Sequence, residues 1–239
     1  MGILYIISTP IGNLGDISFR AIEILKSVDL IACEDTRHTK ILLDHYGIRK
    51  PLVSYHNFSE KSRAPRLVEK ILSGGRVALV SDAGTPGIAD PGFRLVSEAI
   101  LRGVALEAIP GPSAFLVALS LSGLPTDRFV FEGFLPVKPG QRKNRLLVLK
   151  NETRTVIFYE SPHRVMKTLE AMKEIFGDIP IVMARELTKK FEEMFRGTIN
   201  QAITHFGAKK TRGEFVILFN LTSSSPRRRG SKLFRMIPA

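Results

Sequence analysis

Cysteine is nearly missing. Cys33 is the single one among 239 residues, which excludes an internal disulfide and makes a reducing cytoplasm the expected home. Long apolar runs are missing too. No window approaches the ~18 apolar residues that span a membrane. The apolar start at residues 1–8 is too short for a signal segment and has no basic stretch before it, so a soluble, unprocessed protein with no membrane partner is expected. No G-x-G-x-x-G, Walker or G-x-S-x-G pattern occurs, which argues against ordinary dinucleotide, nucleoside-triphosphate and serine-hydrolase sites. His38, His45, His56, His163 and His205 are scattered without metal-ligand spacing, and Cys33 lacks a nucleophile's sequence context. No metal is expected. Acidic residues are missing from residues 223–239, which hold Arg227, Arg228, Arg229, Lys232 and Arg235; this stretch reads as a flexible basic tail.

The rest is the composition of a globular protein, with 44% hydrophobic and 24% charged residues. The net charge of +12 points to an anionic partner, nucleic acid foremost. Hydrophobic periodicity predicts strands at residues 4–8, 30–32, 52–55, 76–80 and 105–109, alternating with helices at 19–27, 36–46, 63–73 and 93–102. Gly74-Gly75 ends the third helix. Apolar strands alternating with helices imply a mainly parallel sheet covered on both faces. Pro110-Gly111-Pro112 breaks the pattern. Beyond it come a helix at 114–121, strands at 129–132, 155–159, 181–185, 192–197 and 214–220, and helices at 141–150, 165–176 and 199–206. Two of those strands are joined by a short loop, so the second sheet is expected to be mixed. The fold class is therefore α/β with two α/β domains, residues 1–112 and 113–222, followed by the tail at 223–239.

In open α/β sheets ligands bind beyond the carboxyl ends of the strands. Three turns fall there: Thr9 to Gly15, Ser81 to Gly92, and Pro110 to Ala114. In the second, Gly84 and Gly87 let backbone groups approach a ligand, and Pro86 and Pro91 stiffen the loop. Asp82 and Asp90 make it acidic to neutral, which suits a cationic or amide-rich ligand better than phosphate. Asp90 is equally readable as the cap of the next helix, and Ser113 as the cap of the helix at 114–121.

Seven motifs occur in order: Thr9-Pro10-Ile11-Gly12-Asn13-Leu14, Glu34-Asp35-Thr36-Arg37, Ser81-Asp82-Ala83-Gly84-Thr85-Pro86, Pro110-Gly111-Pro112-Ser113-Ala114, Phe131-Glu132-Gly133-Phe134-Leu135-Pro136, Phe158-Tyr159-Glu160-Ser161-Pro162-His163-Arg164 and Ala184-Arg185-Glu186-Leu187-Thr188-Lys189. From about Leu4 to Asn220 the chain resembles the tetrapyrrole (corrin/porphyrin) methylase superfamily. Within it, the chain is similar to members that methylate the ribose 2′-oxygen of a cytidine in the decoding region of small-subunit ribosomal RNA.

The resemblance implies two α/β domains with S-adenosylmethionine in the cleft between them, a homodimer, and ribosomal RNA or the assembled small subunit as substrate. By position it implies that Pro10, Asp82, Ala83, Gly84, Thr85, Ile88, Ser113, Ala114, Tyr159 and Leu187 bind the cofactor. Longer members carry a helical extension after the strand at 214–220, and this chain has the basic stretch there instead.

Methyl transfer from a sulfonium is an in-line displacement, which needs positioning and removal of the hydroxyl proton. Asp35 or Lys189 is expected to assist that removal, and Arg37, Glu160, His163, Arg164, Arg185 and Glu186 to hold the nucleotide. The bland alternatives are that Asp35 or Thr36 caps a helix, that Ser161-Pro162 starts one, and that Arg185 and Glu186 form an interdomain ion pair. Arg142, Lys143, Arg145 and Lys150 share a helix whose Leu146, Leu147 and Leu149 are expected to face inward; its basic face either meets RNA or is simply solvated. A tetrapyrrole methyltransferase and a non-catalytic RNA-binding protein are the rival readings.

Overall fold

The computed structural model describes residues 2–208 and 213–222, so the expected tail lies outside the described residues. The chain divides into two compact units, the first ending at Ser113 and the second beginning at Ala114.

Unit 1 alternates strands and helices: β1 (Ile3–Ile7), α1 (Phe19–Ser27), β2 (Leu30–Cys33), α2 (Thr36–His45), β3 (Leu52–Ser54), α3 (Glu60–Leu72), β4 (Arg76–Val80), α4 (Phe93–Leu101) and β5 (Ala105–Ile109). Its sheet has the order β3-β2-β4-β1-β5, every pairing parallel. Alternate residues of β4 enter different cores. Val77 and Leu79 pack with Leu4, Val68 and Leu95, while Ala78 and Val80 pack with Ile7, Leu25 and Ile31. Both faces are dry, which is why β4 reads as an unbroken apolar run. Each fully buried Leu or Ile contributes about 1.5–3 kcal/mol.

The helix starts are chemical. Ser18 Oγ accepts from Ala21 N at 3.1 Å at the head of α1. Gly74 at φ 97 closes α3, with Gly75 N donating to Lys70 O. Two expectations shift. The third helix begins at Glu60 rather than residue 63, because the His56 carbonyl accepts from both Ser59 N and Glu60 N and opens the first turn early. Pro65 is then inside α3. The cap position of α4 belongs to Gly92, not Asp90.

Unit 2 contains α5 (Ala114–Ser122), β6 (Phe129–Phe134), α6 (Pro139–Leu149), β7 (Thr155–Glu160), α7 (Val165–Phe176), β8 (Pro180–Arg185), β9 (Glu193–Thr198), α8 (Ile199–Gly207) and β10 (Phe215–Phe219). The order is β6-β7-β10-β8-β9; β6 and β7 are parallel and the other pairings antiparallel. The core gathers Val156, Phe158, Met183, Phe215 and Ile217 with Leu146, Leu169 and Phe206. β6 runs beyond residue 132 through a bulge: Phe131 pairs with Ile157 and Phe134 with Tyr159, and Gly133 at φ 63 absorbs the extra residue.

Two further expectations fail here. Leu147 faces outward, while Arg142 is buried and donates to the Val137 carbonyl, because α6 is rotated so that Leu146 and Leu149 alone fill the core. Ser161-Pro162 does not start α7. The Ser161 carbonyl instead accepts from Arg164 N and Val165 N, and the helix begins at Val165. Among the described residues no helix is long and apolar enough to cross a membrane.

Candidate functional site

In unit 1 the adjacent strands β4, β1 and β5 end together, and the turns that follow them are bonded to one another. Thr9 N donates to Gly84 O at 2.8 Å and Gly84 N to Thr9 O at 3.0 Å, an isolated antiparallel bridge between the first and second turns. Two hydroxyls that the sequence reading passed over reinforce it. Ser8 Oγ lies 2.8 Å from Thr85 Oγ1, and Thr9 Oγ1 donates to Ser81 O at 3.0 Å. The signal for them was present, since a hydroxyl pair closing a buried strand needs partners. Ser81 Oγ donates to Gly84 O at 3.1 Å.

The third turn is equally close. Ser8 N donates to Ile109 O, and a Cβ on Gly111 would stand 2.9 Å from Ser8 Cβ. Gly84 occupies φ 87, and a Cβ there would lie 3.7 Å from Ile11 Cγ2 and 3.8 Å from Pro112 O. Its missing side chain therefore leaves a space bordered by the first and third turns. That space has a methyl on one side and a backbone carbonyl on the other, which suits a ligand with both apolar and polar contacts; Pro10, in the first turn, is buried.

Asp82, Ala83, Gly84, Thr85, Ile88 and Ser113 all belong to this edge. Ile88 is 43% exposed and Ser113 is buried. Asp82 is a brace as well: its Oδ1 accepts from Asp35 N at 3.0 Å, tying the turn after β2 to the turn after β4. Asp35 caps α2 by accepting from Arg37 N at 2.8 Å, and Arg37 Nη2 closes an ion pair with it at 2.7 Å. The Arg37 side chain, then the capping amide, hold the Asp35 carboxyl well below the usual carboxylate range. The bland reading of Asp35 is thus realised. Such a carboxylate is a weak proton acceptor, which counts against its expected role as a base.

In unit 2 the ends of β6, β7 and β8 lie on one edge, since Glu160 and Arg185 both pair with Phe215 across β10. Glu160 is fully buried. It accepts from Thr168 Oγ1 at 2.6 Å and Ser161 N at 2.8 Å, and pairs with Arg164 at 3.2 Å. Arg164 also donates to the Leu135 carbonyl at 2.6 Å, stitching the end of β6 to that of β7. Glu160 is thus enclosed in this network, and Arg164 is turned inward beside it. His163 is exposed. Tyr159 accepts at its hydroxyl from Phe115 N at 3.3 Å, just inside α5, which Ala114 begins.

Arg185 pairs with Glu193, which also meets His205 Nε2 at 2.6 Å. Burial pushes the Glu193 carboxyl up, but His205 and Arg185 together outweigh it and hold it down. Glu186 pairs with Lys189 at 3.0 Å. Both partnerships lie within unit 2. Glu186 at φ 51 and Thr188 at φ 66 flank buried Leu187 in a left-handed conformation that few residues adopt. Gly213 opposite them holds φ 75, a conformation that favours glycine, with the Glu186 carboxylate packed where a Cβ would stand. Backbone strain of this kind concentrates at functional sites. On α6, Lys143 pairs with Glu174 and Arg145 with Glu132, so two of the basic residues offered to RNA are neutralised locally.

Comparison with known proteins bears on this geometry. The family profile described as Tetrapyrrole (Corrin/Porphyrin) Methylases matches residues 3–203. A protein of Xylella fastidiosa named "Ribosomal RNA small subunit methyltransferase I" is 51% identical over 220 residues, covering 91% of this chain and 81% of the relative. One of Thermotoga maritima with the same name is 47% identical over 221 residues, covering 92% of this chain and 99% of the relative. Among solved structures, the methyltransferase CobJ gives a TM-score of 0.71 at 20% identity, over 96% of this chain and 98% of that one. Diphthine synthase gives 0.70 at 16% identity, over 91% and 89%. At those identities the structures speak for the fold.

Proposed function

Since the chain belongs to the tetrapyrrole (corrin/porphyrin) methylase family, we propose that it is an S-adenosylmethionine-dependent methyltransferase acting on small-subunit ribosomal RNA, at the 2′-oxygen of a cytidine ribose. The observation that carries this reading is the set of three closely packed turns around Gly84, the first two bonded to each other, at the carboxyl edge of a parallel sheet. Relatives at 47% and 51% identity whose names specify ribosomal RNA support the acceptor, as does the net charge of +12. A cytoplasmic site of action accords with such a substrate.

Bound S-adenosylmethionine supplies a methyl group already activated by its sulfonium. The chain's own contribution is placement. Gly84, Thr85 and Ile88 hold the cofactor from the second turn, Pro10 from the first and Ser113 from the third. Thr85 is fixed for that task by its hydroxyl contact with Ser8. Arg37, 89% exposed at its side chain, and His163 are open to bind the nucleotide. Lys189 is 42% exposed at its side chain and paired with Glu186. As the cation of that pair it is suited to stabilise the ribose oxygen while the hydroxyl proton passes to solvent water. Asp35 instead sets the entry of α2 and the reach of Arg37.

The test is methyl incorporation from labelled S-adenosylmethionine into small ribosomal subunits that lack the modification, with a porphyrinoid offered in parallel and the modified nucleotide mapped. Label in a cytidine ribose of the RNA is the expected result; label in the porphyrinoid alone sinks the reading. In single turnover, Lys189→Ala is expected to slow transfer by about a hundredfold, and an unchanged rate removes Lys189 from the mechanism.

A further inference from the structure

Glu60 is a buried carboxylate that nothing above uses. It is 8% exposed and sits in the first turn of α3, outside the sequence motifs that suggested a site. Removing a carboxylate from water is costly unless it is hydrogen-bonded and paired. Its partners are informative. Oε1 accepts from Gly92 N at 2.8 Å, and Oε2 lies 3.8 Å from Arg94 Nε. Gly92 is the last residue of the loop that follows β4, at φ 155, and a Cβ on it would stand 2.9 Å from Gly87 N. The loop is folded back on itself there, since Gly87 N donates to Pro91 O and Ile88 N to Thr85 O. Ala89 between them holds φ 64, a strained conformation for a residue with a side chain. The near end of the loop is clamped by the Thr9–Gly84 bridge, and its far end by Glu60.

From this we infer that Glu60 is a positioning residue for the methyl donor: through Gly92 N it fixes the Thr85–Ile88 segment in the shape that receives S-adenosylmethionine. The inference rests on the cofactor reading of that loop. The contact depends on reach more than on charge. A glutamine keeps an acceptor oxygen at the same length, whereas an aspartate keeps the charge and loses a methylene. A loop already held in its bound shape gives up less entropy on binding, so freeing it weakens the complex.

The experiment measures S-adenosylmethionine affinity by calorimetry, RNA affinity by filter binding and melting temperature for the full chain and for Glu60→Gln, Glu60→Asp and Glu60→Ala. Glu60→Gln is expected to stay within about threefold of the parent in cofactor affinity, and Glu60→Asp to lose about tenfold with the fold intact. RNA affinity is expected to be unchanged in both. A purely stabilising role would lower the melting temperature while leaving cofactor affinity alone, and that result overturns the proposal. Asp binding as well as the parent while Gln fails would also overturn it, by making charge the operative property. If Glu60→Ala does not fold, the Gln and Asp pair decides alone. A parent chain that fails to bind S-adenosylmethionine refutes the cofactor reading itself, a separate failure.

Discussion

The carboxyl edges of the two sheets are made of different material. In unit 1 three adjacent strands of an all-parallel sheet deliver three turns, and what they present is mostly main chain: the Thr9–Gly84 bridge, the gap at Gly84 and the hydroxyls of Ser8, Thr9 and Thr85. In unit 2 the matching edge is built of charged side chains, and most of them are committed to neighbours, Glu160 to Thr168 and Arg164, Arg185 to Glu193, Glu186 to Lys189. A sheet edge dense in charge is therefore not by that fact a binding surface. The backbone-built edge ties its own turns together and leaves a gap where Gly84 has no side chain, while much of the side-chain-built edge holds the loops of its own sheet in place.

Four measurements press on that contrast. The largest effect is expected from Glu160→Ala, which leaves the Arg164 guanidinium beside an empty site and should lower the unfolding free energy by about 3 kcal/mol in a denaturant titration, with S-adenosylmethionine affinity unchanged. Gly84→Val is its mirror image. A β-branched residue at φ 87 is strained by about 1–3 kcal/mol and projects into the cradle, so cofactor affinity should fall at least about tenfold with a smaller change in melting temperature. If Gly84→Val damaged folding and spared binding, the contrast would be lost.

Asp35 forms a side-chain ion pair on the backbone-built edge. Its carboxyl is lowered in the folded chain, so its contribution is complete above the ordinary carboxylate pKa of about 3.9 and fades as pH drops further. Hydrogen-exchange protection at the start of α2 should decline in acid in the parent and hold steady in Asp35→Asn, which keeps a neutral cap. The smallest effect is expected from Lys143→Ala combined with Arg145→Ala. Both cations already face carboxylates, so the slope of RNA affinity against salt should move by less than about one unit.

Local chemistry decided how much of this could be read from the chain. Residues 76–80 were legible to the residue, because an apolar run bounded by Gly74-Gly75 at one end and a proline- and glycine-rich turn at the other admits little else; 105–109 was fixed as closely by Gly103 before it and Pro110-Gly111-Pro112 after it. The cradle was legible as a set of turns and as a resemblance. Its bonding was not, since Thr9 and Gly84 are brought together only by strand order. Glu60 was invisible because the expected helix began at residue 63, leaving the buried glutamate in an apparent loop. Leu147 failed for the opposite reason. Three leucines within four positions cannot all face one side of a helix, and composition does not say which is left out.

The strand order of unit 1 has a consequence for the protein as it is made. β1 emerges first, yet its neighbours on both sides are the last strands of the unit: Ile3 aligns with Arg76 on one flank and Ala105 on the other. During translation the apolar segment Ile3–Ile7 must wait unpaired for most of the unit to leave the ribosome, and contacts this distant in sequence form slowly. No N-terminal fragment that stops short of β5 can complete the three-turn cradle. The nascent chain thus passes through a period of vulnerability to aggregation and chaperone capture that ends only when the fifth strand closes over the first.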